Sequence, residues 1–107
     1  LNNWFPGKIL EDSKYRIKDV NVLAANARRA FFDYMPLRNG VRTRIDRNIE
    51  RGPLCEVFFL DLRSYRGPNT ANRQTVRSHV TDFMGERQLE WLKGALGKSR
   101  AVWKVIC

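Results

Sequence analysis

At 107 residues the chain has the length of one ordinary domain. Its 43% hydrophobic and 11% aromatic content excludes a disordered chain. No apolar run approaches the roughly 18 residues that a membrane-spanning helix needs.

The net charge is +9, and 14 of the 20 basic residues are arginine. The planar guanidinium fork matches phosphate and carboxylate oxygens. Three readings of this charge stay open: a nucleic-acid binder with a basic face, an enzyme acting on phosphate esters, or a basic stretch of a longer protein whose acidic parts lie elsewhere.

Residues 1–18 are mixed and turn-rich, with Pro6-Gly7 as a turn and Trp4 and Phe5 as anchors. Asp19 then has the character of an N-cap. From there Val20, Leu23, Ala24, Ala27, Ala30, Phe31, Tyr34 and Met35 recur at helical spacing, and Pro36 ends the helix. In "RTRIDRNIERGPLCEVFFLDLRSYR", Ile45 and Ile49 alternate with polar residues as in a half-buried strand, and "ERGP" supplies a turn. The run Leu54 to Leu62 is almost continuously apolar, as in a strand covered on both faces. Residues 43–62 thus read as a hairpin leading into a central strand.

Residues 63–82 are polar and form a long loop, a length often associated with function. A second helix follows over 86–96. Gly85 stands at its N-cap, Gln88 in the capping-box position, and Gly97 at C′. Leu89, Leu92 and Leu96 form its stripe, with Trp91 and Ala95 alongside. "AVWKVIC" is a strand again. Strand, loop, helix, strand is a βαβ unit, so the strands near 57–62 and 101–106 should be parallel neighbours. The fold class is α/β: one β-hairpin plus a βαβ unit, with two main helices. Such a set does not complete a layered sheet by itself. With strand-like residues running to Cys107 and no signal-peptide pattern in "LNNWFPG", the chain is expected to be an internal piece of a larger protein.

Cys55 and Cys107 both sit in apolar strand-like runs and read as buried free thiols rather than as a disulfide. With one histidine and no Cys-x-x-Cys pair, no zinc site can be assembled. His79 in the polar loop reads as exposed or locally hydrogen-bonded. Trp4, Trp91 and Trp103 read as core aromatics. Tyr34 and Tyr65 either border a cleft or pack.

Four stretches in register carry a resemblance along nearly the whole chain. "NNWFPG" resembles the segment after an acidic, His-containing metal box, and "ARRAFFDYMPLR" a helix with its Met-Pro-Leu-Arg end. "FFLDLRSYRGPN" resembles an aspartate–arginine strand end, and "FMGERQLEWLKGALGKSRAVWKVI" a Gly–Gln–Trp-Leu helix leading into a Trp-Lys-Val-Ile strand. The chain is similar in these to the alkaline phosphatase D family of metallophosphoesterases.

The resemblance implies that residues 1–107 are the central, incomplete segment of a metallophosphoesterase catalytic domain, with a partial layered fold of that type. The parent would be a periplasmic or secreted hydrolase of phosphate mono- or diesters. A dinuclear metal centre, associated with iron and calcium, would activate its water. The family's metal boxes stand upstream and downstream of the matching stretch. This segment is therefore expected to hold no metal ligand and no catalytic residue, and to be inactive alone. Its partners would be the phosphate-ester substrate of the parent, the remainder of the domain, and other copies of itself through uncovered apolar surface, but no membrane. The rival of a different class is a free-standing basic module for nucleic acid or another polyanion, against which the arginines count by being spread over helices, hairpin and loop.

Four residues are candidate substrate contacts. Arg63 and Arg66 follow the central strand's carboxyl end, where each could hold a phosphate oxygen or form a structural ion pair. Arg38 after Met35-Pro36-Leu37 is similar. Asn3 would lie near the metals of a complete enzyme or simply form a turn. Asp61 could face the site, or pair with Arg63 or Arg66 to fix the loop.

Overall fold

A computed structural model describes residues 3–37, 44–71 and 73–107. Three strands form one sheet in the order β1-β2-β3: β1 is Arg47–Arg51, β2 is Cys55–Phe59 and β3 is Trp103–Ile106. β1 and β2 are antiparallel, with Ile49 opposite Val57. β2 and β3 are parallel, with Val57 beside Val105. Helix α1 spans Val20–Tyr34 and α2 spans Glu86–Lys98, and α2 lies in the crossover from β2 to β3. The hairpin and the parallel pair expected from the sequence are both present, with shorter strands.

α1 begins where its cap chemistry predicts. The Asp19 carboxylate accepts the Asn21 N–H at 2.8 Å. The preceding segment is clasped to this end. Leu10 N–H donates to Lys18 C=O at 2.8 Å and Val20 N–H to Lys8 C=O at 3.1 Å. Leu10 and Val20 are buried by this clasp, and Leu10 replaces Trp4 and Phe5, which are only half-buried, as the inner residue of the segment. Before Pro36, Met35 N–H still closes on Phe31 C=O, and the helix stops there.

The sheet has one well-covered face. Glu56 and Phe58 on β2 are buried, while Cys55, Val57 and Phe59 on the other face are half-buried. Within this segment α2 lies on one side of β2, and Arg47 lies over the Phe59 ring at 4.4 Å on the other, so the second face is only half-covered. β3 is exposed along its length. Trp103 is 69% exposed, which overturns its reading as a core aromatic, and Val105 and Ile106 are also exposed. Cys55 is half-buried and Cys107 exposed, both as free thiols, so the burial expected of Cys107 fails.

Two expectations for α2 also change. The helix continues through Gly97 to Lys98 and ends at Ser99, whose N–H closes on Ala95 C=O, so Gly97 is interior rather than C′. Gln88 does not form a capping box, because Gly85 offers no side chain to complete one; its amide turns to the end of β2 instead. The principal extents are 51 × 40 × 18 Å, the thickness of one helix layer on one sheet. The radius of gyration of 16.4 Å exceeds the ~13 Å of a compact chain of this length.

Candidate functional site

The parallel pair ends at one edge of the sheet, and the loop that leaves it holds Arg63 and Arg66. Leu60 N–H donates to Cys107 C=O and Cys107 N–H to Phe58 C=O, both at 2.8 Å, so the two strands are tied to their last residues. The chain then turns away at Asp61, which is 5% exposed. Gln88, 2% exposed, reaches across from α2. Its Oε1 accepts the Asp61 N–H at 2.7 Å, and its Nε2 donates to Asp61 C=O at 3.0 Å and to Met84 C=O at 2.8 Å.

The Asp61 side chain fixes the next turn. Oδ1 accepts the N–H groups of Arg63 and Ser64 at 3.0 and 2.8 Å, while Oδ2 is buried without a hydrogen-bond partner. Of the two sequence readings of Asp61, loop fixing is what the geometry displays, and it works through backbone amides rather than guanidinium groups.

Arg66 lies on the same loop. Its Nη2 donates to Asn69 Oδ1 at 2.7 Å, and Asn69 Nδ2 donates in turn to the Asn3 C=O at 2.7 Å. Two candidates 63 positions apart in the sequence are thereby joined through Asn69. Asn3 has φ 49°, a left-handed conformation that asparagine tolerates better than most residues. The Arg66 guanidinium sits 5.7 Å from the Phe83 ring centroid. Arg63 Nη1 and Arg66 Nε are buried without hydrogen-bond partners. Arg38 lies outside the described residues.

Gly67 is buried where this loop passes its own return. Its N–H donates to Asp82 C=O at 2.8 Å, and a Cβ there would come within 2.4 Å of the His79 carbonyl oxygen. His79 is largely exposed, with Nδ1 3.7 Å from Asp82 Oδ2.

Beside the loop is a second polar group. Asp46 is 3% exposed and is met by the Arg44 guanidinium and by the Tyr65 hydroxyl, which donates to Asp46 Oδ1 at 3.3 Å. Arg44 also lies over the Trp91 ring at 5.6 Å. The bond to Asp46 raises the pKa of Arg44, and burial, then the charges of Asp46 and Asp61, push the Tyr65 hydroxyl up, so it remains a protonated donor at neutral pH. Arg44, Tyr65, Arg87 and Gln88 line a cavity of about 230 Å³. Gly85, at φ 73°, lets the chain enter α2 against Tyr65, whose Cβ would lie 2.8 Å from an added Cβ.

Sequence reasoning missed Arg44, Asp46, Arg87 and the role of Gln88. For Gln88 a signal existed: a glycine at the N-cap cannot take its half of a capping box. For Asp46 nothing local distinguishes a buried acid from the other polar residues of the strand pattern.

Among the described residues no group of three or more His, Cys, Asp or Glu side chains is placed to hold a metal ion. These residues do not fit a dinuclear centre. No described helix is long and apolar enough to cross a membrane.

The sequence profile of the family described as PhoD-like phosphatase matches residues 1–107. Alkaline phosphatase D of Bacillus subtilis (strain 168) is 31% identical over 93 residues, a match that covers 77% of this chain and 16% of that enzyme. The chain thus spans about one sixth of the length of this relative. No solved structure matches it significantly. A match from the first residue to the last, with the Asp61–Arg66 strand end and the Gln88 helix inside it, leads to one assignment: the chain belongs to the PhoD-like phosphatase family.

Proposed function

We propose that this chain is the central segment of the catalytic domain of a secreted or periplasmic, metal-dependent phosphoric ester hydrolase, and that the loop after β2 forms one wall of its substrate site. A metal pair, iron and calcium by the family resemblance, would be held by other parts of the polypeptide, where it would supply the activation of water. The residues described here bind and orient the phosphate. Arg63 and Arg66 meet its oxygens, Asn3 and Asn69 hold Arg66 in place, and Arg38 is a further contact read from the sequence alone.

One observation carries this reading. Arg63 and Arg66 each keep a buried N–H group without a partner at the carboxyl end of a parallel strand. A buried charged donor left unpaired is costly, and an anionic ligand removes that cost. The layered metallophosphoesterase architecture follows in the same reading. The half-buried face of β2 and the exposed β3 are where the remaining layers of the domain would sit.

The test is hydrolysis of a chromogenic phosphodiester by the full-length protein. Each charge-assisted hydrogen bond is worth roughly 1.5–3 kcal/mol, so Arg63→Ala and Arg66→Ala should each raise KM and the inhibition constant of inorganic phosphate about 10- to 100-fold. Unchanged constants in both variants overturn the assignment. The 107-residue chain alone, with iron and calcium added, should show no hydrolysis. A turnover of about 1 per second or more would overturn that part. Steeply salt-dependent binding of nucleic acid by the isolated chain would instead favour the basic-module reading. Sedimentation of the isolated chain should show self-association, since Val102, Trp103, Val105 and Ile106 are all exposed, and Trp103→Lys should weaken it.

A further inference from the structure

One buried side chain with three hydrogen bonds is neither acid nor base. Gln88 makes three hydrogen bonds of 2.7–3.0 Å at 2% exposure, and all three go to backbone groups at the two ends of one loop. A glutamine needed only to terminate the sheet would satisfy one ladder group. This one takes both the N–H and the C=O of a single residue, as a neighbouring strand would, and fixes the plane of both peptides around Asp61. Asp61 in turn uses one carboxylate oxygen to hold the N–H groups of Arg63 and Ser64. The line of contacts therefore runs from the helix backbone through Gln88 and Asp61 to the backbone of Arg63, whose Nη1 is buried and unpartnered.

We infer that Gln88 is a positioning residue for phosphate binding: it orients the Asp61 peptide, Asp61 orients the Arg63 backbone, and the Arg63 guanidinium is thereby held ready for the anion. The inference rests on the proposed role of Arg63 and adds the device that sets it. Pre-organised donors bind more tightly because they lose less freedom on binding. Displacement of a binding group by about an ångström is enough for large losses.

The experiment measures inorganic phosphate affinity in the full-length protein, by calorimetry and as a competitive inhibition constant. Gln88→Met keeps the length and lack of charge of the side chain and removes all three hydrogen bonds. It should weaken phosphate binding about 10-fold. A merely structural role lowers the folded fraction, and hence the apparent kcat, but leaves an inhibition constant unchanged, because that constant does not depend on how much active enzyme is present. In the Arg63→Ala background, Gln88→Met should have no further effect on phosphate affinity, since residues acting through one another are not additive. Where Gln88→Met gives too little folded protein, Asp61→Ala breaks the same line one step later and should weaken phosphate binding equally.

Unchanged phosphate affinity in Gln88→Met, or in Asp61→Ala where that variant is used, overturns the inference while leaving the arginine assignment intact, provided Arg63→Ala still weakens binding. Additive losses in the double variant also overturn it. If Arg63→Ala itself leaves phosphate affinity unchanged, the proposed function fails, and this inference falls with it.

Discussion

Helices α1 and α2 both carry an apolar stripe of similar extent, yet they stand in the molecule very differently. α2 buries Leu92 and Gln88 and is bonded directly to the end of β2. α1 fully buries only Val20, at the end clasped to residues 8–10; Leu23, Ala24 and Phe31 of its stripe are half-buried, and at its far end Met35 is half-exposed and Tyr34 87% exposed. Both sequences satisfy the same periodicity rule. The difference is in what meets each stripe. An amphipathic helix gains most of its stability from packing rather than from propensity, so α1 is held mainly at its first turn.

The sharpest way to break this contrast is to remove large side chains from each region. Phe58 is fully buried beneath the α2 side of the sheet, and Phe58→Ala should cost about 3–5 kcal/mol of stability. Tyr34→Ala at the far end of α1 should stay within about 0.5 kcal/mol. Chemical denaturation of the two variants, side by side with the parent, measures both. Comparable losses would mean that α1 is packed as firmly as α2.

A smaller effect tests the α2 side alone, with two glycines. Gly67→Ala places a methyl against the backbone of His79–Val80 and should destabilise by about 1–3 kcal/mol. Gly97→Ala should stabilise by about 0.5–1 kcal/mol, because the position is helix interior with open space around it. Loss of stability in Gly97→Ala would restore the left-handed cap that the sequence first suggests and shorten α2.

The smallest expected effect is a pH dependence. The Ser99 hydroxyl and the Asn48 amide hold the Glu56 carboxyl below its ordinary 4.5. A carboxyl with a lowered folded-state pKa adds stability above its unfolded value, and that stability is lost as pH falls below about 4.5 toward the folded value. Glu56→Gln should flatten this part of the acid limb in a melting-temperature profile. An unchanged profile would show that the polar side of α2 adds nothing to its hold on the sheet.

Much of the frame could be read in the sequence because it depends on local rules. Asp19 and Pro36 bound α1, "ERGP" turns the hairpin, and the βαβ order fixes the parallel pairing of β2 with β3. What could not be read depends on partners distant in sequence. That β3 is an exposed edge could be expected from the incomplete sheet, but the apolar strand pattern around Trp103 does not say that this side chain is 69% exposed. Gln88 and Asp61 are 27 positions apart, so only the folded chain brings the amide to its strand. For the candidate site, the place of Arg63 and Arg66 on the loop after β2 was legible, and the link from Arg66 through Asn69 to Asn3 was not.

The amide of Gln88 touches both Asp61 and Met84, and this has a consequence for how such a chain can diversify. The loop between those two residues has both roots stapled by one side chain, much as a ring is closed by a clasp. The entropy of closing a loop rises only slowly with its length. Residues can therefore be gained or lost over its exposed middle, around 73–78, without shifting the register of α2 or the start of β3. Relatives with the same clasp can carry longer or shorter loops here, and so differently shaped rims beside one fixed strand end.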